Sequence, residues 1–461
     1  MISIIPKTKQ QKIISLSILL GWFIFSFFFA VPRSSAAEPF PLYPCIQANV
    51  KFWEEIYSRY TTRQGLLHDI DDLNLVYAVV ALEDWEAPGA AKVNSERVKE
   101  AKERIIALLT ELGSGKKPLT PEEKKIASLF SGQPHSSYHT ARENIRLQIG
   151  QKDRFYEGLI RSGKYLAHFK QYFISQGLPA ELAYLPHVES SFNPEAYSKA
   201  GAAGLWQFTR STGKEYLTIN DQVDERYDPY LATQAAAKML KGNHDRLETW
   251  PLALTAYNYG RAGMVRAVND LGTYENIFQS YSQGYFKFAS RNFYSEFMAA
   301  MRVAKRLATD PSVPFERPEA TFTFRLKQEV PLAQLQTSLR LSPQEFNRLN
   351  SALMEPVRGG QKPVPRGYQV RLPDSKKALI QQPRLTLTTD IPSKGASSEK
   401  KIETGRVHTN YTVQKGDTLH SIARRFQLPP QAILAANRRN TLAQVRIGER
   451  LIIPKIAQKT L

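Results

Sequence analysis

Cys45 is the only cysteine among 461 residues, and this single fact most restricts what the chain can fold into. No internal disulfide can form, so every domain must be held together by its own apolar core. The restriction has force because the N-terminal segment carries the marks of export. Lys7, Lys9 and Lys12 precede the apolar run Ile13–Val31, and Ser35-Ala36-Ala37 follows as a small-residue site before Glu38. A basic, an apolar and an A-x-A-like segment in that order read as a secretory signal. The apolar run is also long enough to span a bilayer if left uncut. Residues 1–37 are thus expected to be a signal peptide or an N-terminal anchor, placing the protein in the cell envelope, periplasmic or membrane-associated. In Leu42-Tyr43-Pro44-Cys45 the residues beside the cysteine are wrong for lipidation, so Cys45 is expected to be a buried free thiol.

With 42% hydrophobic and 23% charged residues the chain suits ordinary globular folds, and its length implies about three domains. A multi-span membrane protein, a disordered chain and a disulfide scaffold are excluded. The net charge of +19 is unevenly placed: residues 321–461 hold 24 Lys/Arg against 9 Asp/Glu, whereas 38–320 are neutral. A basic tail on a neutral body points to a polyanion as partner, without choosing among nucleic acid, anionic lipid and wall polymer.

Residues 38–160 read as a helical N-terminal region. Val98, Ile105, Leu108, Leu109 and Leu112 fall on one face, Gly113 gives a stop, and Thr120-Pro121-Glu122-Glu123 forms a capping box. Residues 161–310 continue helical, with turns at Gly177-Leu178-Pro179 and Asp228-Pro229. Beyond Pro311 the pattern becomes strand–helix–strand, twice. A shift of 87 residues brings Phe324 onto Tyr411, Leu335 onto Ile422 and Asn350 onto Asn437, and both copies end in an apolar strand closed by proline, Pro373 and Pro454. The first copy is six residues longer between asparagine and proline. Two βααβ modules are expected, at 321–373 and 409–456, joined by a Ser/Thr/Lys/Pro-rich linker at 374–408.

The segment richest in chemistry runs from Pro179 to Phe208. Leu182, Leu185 and Glu189 sit at i, i+3 and i+7, so one carboxyl lies on the apolar face of its helix. Apolar surroundings disfavour the charged form and raise the pKa, as a general acid near neutral pH requires. Periodicity alone equally describes, and by itself favours, a solvated glutamate near a helix end. Pro186 removes a helical hydrogen bond and marks a distortion beside it. His187 and His244 lack spaced ligand partners, so no metal or other cofactor is expected. Asp228 before Pro229 reads as a helix cap rather than a base.

These residues also carry a resemblance. Glu189-Ser190, Gly204-Leu205-Trp206-Gln207-Phe208, Ala256-Tyr257-Asn258-Tyr259-Gly260 and Arg291-Asn292-Phe293-Tyr294 follow one another in the order seen in soluble-lytic-transglycosylase domains, and the stretch resembles that family. The resemblance implies a mainly α fold: a lysozyme-like (goose-type) helical catalytic domain at 161–310, behind the N-terminal helical region. It implies Glu189 as the catalytic acid, Ser190 orienting it, and Gln207, Tyr257, Asn258 and Tyr294 lining a sugar cleft. Trp206 and Tyr259 read equally well as core. The stretch Tyr411-Thr412-Val413-Gln414-Lys415-Gly416-Asp417-Thr418-Leu419, with Ile447-Gly448 later, resembles the LysM family. That likeness implies glycan binding through Gly416, Asp417, Thr418, Leu419 and Ile447. The 321–373 copy has Glu329-Val330-Pro331 where Gly416-Asp417-Thr418 stand, and is taken as a degenerate LysM-like module.

Together the resemblances imply an enzyme acting on peptidoglycan, a GlcNAc-MurNAc polymer, that cleaves the MurNAc–GlcNAc β-1,4 bond and leaves 1,6-anhydro-MurNAc ends. One carboxyl suffices if the substrate's own C6 hydroxyl is the nucleophile, whereas ordinary glycosidases need two. A hydrolytic muramidase on the same scaffold and a non-catalytic wall-binding protein are the alternatives. Nucleic acid is not expected as partner, given the export signal and the lack of a basic aromatic groove motif.

Overall fold

The computed structural model describes residues 38–380, Thr389–Asp390 and, within 408–454, all but 415–416, 418, 427, 429–432, 434–435 and 438–447. The expected signal or anchor and most of the expected linker lie outside the described residues. No described helix is long and apolar enough to cross a membrane. The chain divides into two compact units, with the break after Pro392. The class is mainly helical, with small β elements.

The largest core joins distant parts of the chain. Helix Gln47–Ser58 buries Phe52, Trp53, Ile56 and Tyr57 and lies along helix Phe288–Leu307. Helices Pro229–Leu247 and Trp250–Tyr259 complete the packing around Phe169, Phe173, Trp206, Leu240 and Phe297. Asp228 caps its helix: its Oδ1 accepts from the Tyr230 and Leu231 amides at 2.8 and 2.9 Å. Cys45 is free and half-buried at the edge of this core.

Residues 38–160 are not wholly helical. Strands Gln64–Asp69, Val76–Ala81 and Ile145–Ile149 form an antiparallel sheet with Gln64–Asp69 in the middle, pairing Leu66 with Val79 and with Gln148. Helix Ala90–Gly113 covers it with Ile105, Leu109 and Leu112. These strands are five or six residues long, and apolar runs that short do not distinguish strand from buried helix by period. The capping box forms as expected, with the Glu123 amide donating to Thr120 Oγ1 and the Thr120 amide to Glu123 Oε2.

The two C-terminal modules share a strand pairing and an asparagine bridge among the described residues. Strand Thr321–Leu326 pairs with Gln369–Pro373, and strand His408–Thr412 with Arg450–Pro454, in corresponding registers: Phe322 opposite Leu372, Thr409 opposite Ile453. In the first, Asn350 donates to the Phe346 and Arg371 carbonyls and accepts from the Arg371 amide. In the second, Asn437 makes the same three bonds with Ile433 and Ile452. Residues 374–380, expected to begin the linker, instead form a short helical extension whose Ile380 enters the first module's core.

The first module is clamped to the helical body by its extra loop. The Asp224 amide donates to the Ala352 carbonyl at 2.8 Å, the Met354 amide to Gln222 at 2.9 Å, and Ser351 Oγ to Tyr227 at 2.7 Å. The Arg371 guanidinium lies 3.8 Å from the centre of the Tyr230 ring, and Lys362 pairs with Asp221.

Candidate active site

Pro186 breaks the helix expected through residues 179–189. A 3-10 turn spans Ala180–Tyr184, and a separate turn of α-helix, Pro186–Glu189, ends on the glutamate. Ser191 (φ 49°) and Phe192 (φ 53°) then both adopt the left-handed region, unfavourable for residues with a Cβ. The Phe192 amide donates back to the Pro186 carbonyl, and Arg161 donates to the Ser191 carbonyl at 2.9 Å. The bends and their tethers fix where the Glu189 side chain emerges.

Glu189 is half-buried, and its pKa is pushed up to about 8 by desolvation first and by the neighbouring Glu296 second. Glu296, on helix Phe288–Leu307, is pushed up to about 8 by its own burial, against the opposing field of Arg146. Burial and these carboxyls also raise the Tyr57 phenol, and burial with Glu189 raises that of Tyr257. The carboxyl therefore differs from a solvated glutamate: burial favours its protonated form.

Ser190 Oγ donates to the Leu205 carbonyl at 2.9 Å, tying the end of the Glu189 helix to the glycine-rich loop. Tyr257 ties the same loop from the other side, its hydroxyl donating to the Trp206 carbonyl at 2.7 Å. Gln207, half-buried with φ 47°, donates through Nε2 to the Gly204 carbonyl at 2.9 Å. Asn258 is exposed, and its Oδ1 accepts from Ser290 at 2.7 Å. Ser190, Gln207 and Tyr257 are thus joined to Glu189 through one loop. Trp206 is fully buried, donating to Thr233 at 2.9 Å, which places it in the core.

Tyr294 departs from expectation. It is fully buried, donates to the Pro41 carbonyl at 2.9 Å and packs edge-on against Tyr274, so it lines no cleft. Its neighbour Phe293 stacks parallel to Tyr257 instead. One position along a helix turns a side chain by about 100°. His187 is buried between Phe155 and Phe192 and held neutral, burial lowering its pKa to about 3.

The glycine-rich loop rests on a buried ion pair. Arg226 meets Asp224 at 2.7 Å and donates to the Gly201 and Phe208 carbonyls at 2.8 and 3.0 Å. Gly204 has φ 76°, and a Cβ there would lie 1.8 Å from the Arg226 carbonyl oxygen. Sequence reasoning missed Glu296 and Tyr57. Each sits on a long amphipathic helix without a motif around it, and only tertiary packing brings it beside Glu189.

In the C-terminal module Gly416, Thr418 and Ile447 lie outside the described residues, and Leu419 opens helix Leu419–Arg425. Asp417, expected to bind glycan, accepts from the Tyr411 hydroxyl at 2.6 Å and the Gln414 amide at 2.8 Å. Its carboxylate is engaged in closing its own turn.

Comparison with known proteins places these features. Residues 170–277 match the family described as Transglycosylase SLT domain, and residues 411–454 match the LysM domain. The chain is 33% identical over 129 residues to membrane-bound lytic murein transglycosylase D of Escherichia coli (strain K12), covering 28% of each chain. It is 36% identical over 123 residues to membrane-bound lytic murein transglycosylase F 2 of Alkalilimnicola ehrlichii, covering 24% of this chain and 26% of that one. The matched part thus spans little more than a quarter of these relatives' own length. An inactive mutant of lytic transglycosylase Slt from Pseudomonas aeruginosa aligns over 49% of this chain and 35% of its own, at 14% identity and a TM-score of 0.26. Residues 170–277 are a transglycosylase SLT domain and residues 411–454 a LysM domain.

Proposed function

We propose that the protein is a peptidoglycan lytic transglycosylase of the cell envelope, brought to the wall by its LysM domain. The observation carrying this reading is Glu189, a carboxyl kept protonated near neutral pH at the end of a helix and beside the SLT domain's glycine-rich loop. Glu189 protonates the glycosidic oxygen between MurNAc and GlcNAc, and the C4–oxygen leaving group departs from C1. The resulting carboxylate then takes the proton of the MurNAc C6 hydroxyl, whose oxygen closes on C1. The product is a 1,6-anhydro end, the proton returns to Glu189, and no water is consumed.

Glu296 supports the lyase over the hydrolase. A hydrolytic inverting mechanism requires an ionised second carboxylate to activate water, but burial holds Glu296 toward its protonated form. Ser190 and Tyr257 spend their hydroxyl protons on backbone carbonyls of the 205–206 segment, so they shape the site rather than transfer protons. Mass spectrometry of peptidoglycan digests tests the reading. Anhydro muropeptides are expected. Reducing ends accumulating one per bond cut would move the protein to the muramidases.

A further inference from the structure

A cleft of about 780 Å³ opens where the first module is clamped to the helical body. That is the size of a site that encloses a small ligand. One wall is built by Arg161, Lys164, Tyr165 and Tyr227 of the body, with Glu195 from the loop that follows Glu189. The other is built by Gln344, Asn347 and Arg348 of helix Pro343–Leu349, and by Glu355 and Arg358. Glu355 and Arg358 bound a short helix in the loop that is six residues longer than its counterpart in the C-terminal copy. The longer loop that docks this module therefore also lines the cleft.

The lining is polar and of mixed sign. Four cations, Arg161, Lys164, Arg348 and Arg358, face three carboxylates, Glu195, Glu316 and Glu355. Repulsion from three carboxylates disfavours a phosphate or other compact polyanion. A guest carrying both signs fits both sets. Arg348 is already held by Glu319 at 2.6 and 3.1 Å and the half-buried Arg161 by the Ser191 carbonyl at 2.9 Å, which leaves Lys164 as the second half-buried cation of the lining. Burial and the nearby Arg348 lower the proton affinity of the Lys164 ammonium, a penalty that an incoming carboxylate relieves. Asn347 adds a polar amide to the lining. Tyr165 and Tyr227 supply flat apolar surface.

We propose that this cleft is a second binding site, for a short zwitterionic peptide with free carboxylates and an amine, the chemistry of the stem peptides borne by peptidoglycan strands. The identification of that peptide rests on the wall-cleaving reading above; the mixed-charge character of the site does not. Arg161, which lines the cleft, also grips the Ser191 carbonyl two residues beyond Glu189, so a bound stem lies against the outer side of the catalytic turn.

The test is calorimetric titration of the full-length Glu189→Gln protein with the tetrapeptide L-Ala-γ-D-Glu-L-Lys-D-Ala, with its carboxyl-amidated analogue and with chitotetraose. Tetrapeptide binding is expected, weakened tenfold or more by amidation and equally by the double substitution Lys164→Ala/Arg358→Ala. Gln344→Trp, at an exposed helix position that overhangs the cleft, is expected to do the same by filling it, and keeps the test alive should the double variant fail to fold. Unaltered affinity in a folded variant, equal affinity for the amidated peptide, or no tetrapeptide binding at about 1 mM, overturns the proposal. Chitotetraose binding abolished by Gln344→Trp also overturns it, in favour of a glycan site. Wild-type digestion run in parallel separates the two readings. Anhydro products without tetrapeptide binding sink the cleft alone, whereas tetrapeptide binding without wall cleavage sinks the enzymatic reading and leaves a peptide site.

Discussion

The role proposed for Glu189 comes with an energetic cost to the fold, the desolvation of its carboxyl. Glu189→Gln keeps the shape and loses the transferable proton, so activity on peptidoglycan is expected to fall by about two orders of magnitude or more. The sign of the stability change follows from linkage. The folded-state pKa of about 8 lies above the value of an exposed glutamate, so the native state binds the extra proton between them. Wild-type stability therefore declines as pH rises from about 4.5 to about 8 and levels off above it. The variant lacks that decline. It should melt at the same temperature as wild type near pH 4 and higher at pH 9, by on the order of 1–2 kcal/mol once solvent contact of a half-buried group is allowed for. A wild-type advantage at pH 9 would show that Glu189 is not desolvated. Glu296→Gln probes the second contribution. Burial of Glu189 persists, but the neighbouring carboxyl that ionises in the same alkaline range is gone, so its pKa drops. The alkaline limb of the rate profile, which reports loss of the acid's proton, should move to lower pH. A limb that stays in place would mean the two carboxyls do not sense one another.

Among the elements, the glycine-rich loop is the most tightly specified. Gly204→Ala meets both an unfavourable φ and the Arg226 carbonyl, and should destabilise the fold by about 2–4 kcal/mol in chemical denaturation, with a loss of activity to match. A neutral result would mean that this loop can shift without affecting the core. Such local features were legible in the sequence. Pro186 announced its break, Asp228 its cap and Thr120 its capping box, because each acts on backbone groups within a few positions. The repeat was legible too, down to Asn350 and Asn437, since each asparagine bridges a helix end to a strand with the same three bonds. The sheet at 64–149 was not, its strands being too short to declare a period. Nor were Glu296 and the inward turn of Tyr294, which depend on how helix Phe288–Leu307 is rotated against helix Gln47–Ser58. The matched family segment also stops short of that helix.

At the scale of the whole molecule, the two βααβ copies have parted ways. Removing residues 409–456 should weaken retention on washed cell-wall sacculi while leaving turnover of short soluble glycans largely intact, since a targeting module raises local concentration without entering the catalytic cleft. Sedimentation across a salt series checks this, and unchanged retention of a chain ending at Pro373 at every salt would remove the binding role of the LysM domain. The first copy answers to a different rule. Its hydrogen bonds to Gln222, Asp224 and Tyr227 reach the segment whose Arg226 supports the glycine-rich loop. Portability is accordingly not a property of the βααβ fold. It is decided by the hydrogen bonds a copy sends outward, and here a loop lengthened by six residues is enough to turn an exchangeable part into masonry. Grafting the C-terminal copy into the first position, without that loop, would be expected to give a chain that keeps its module and loses its enzyme.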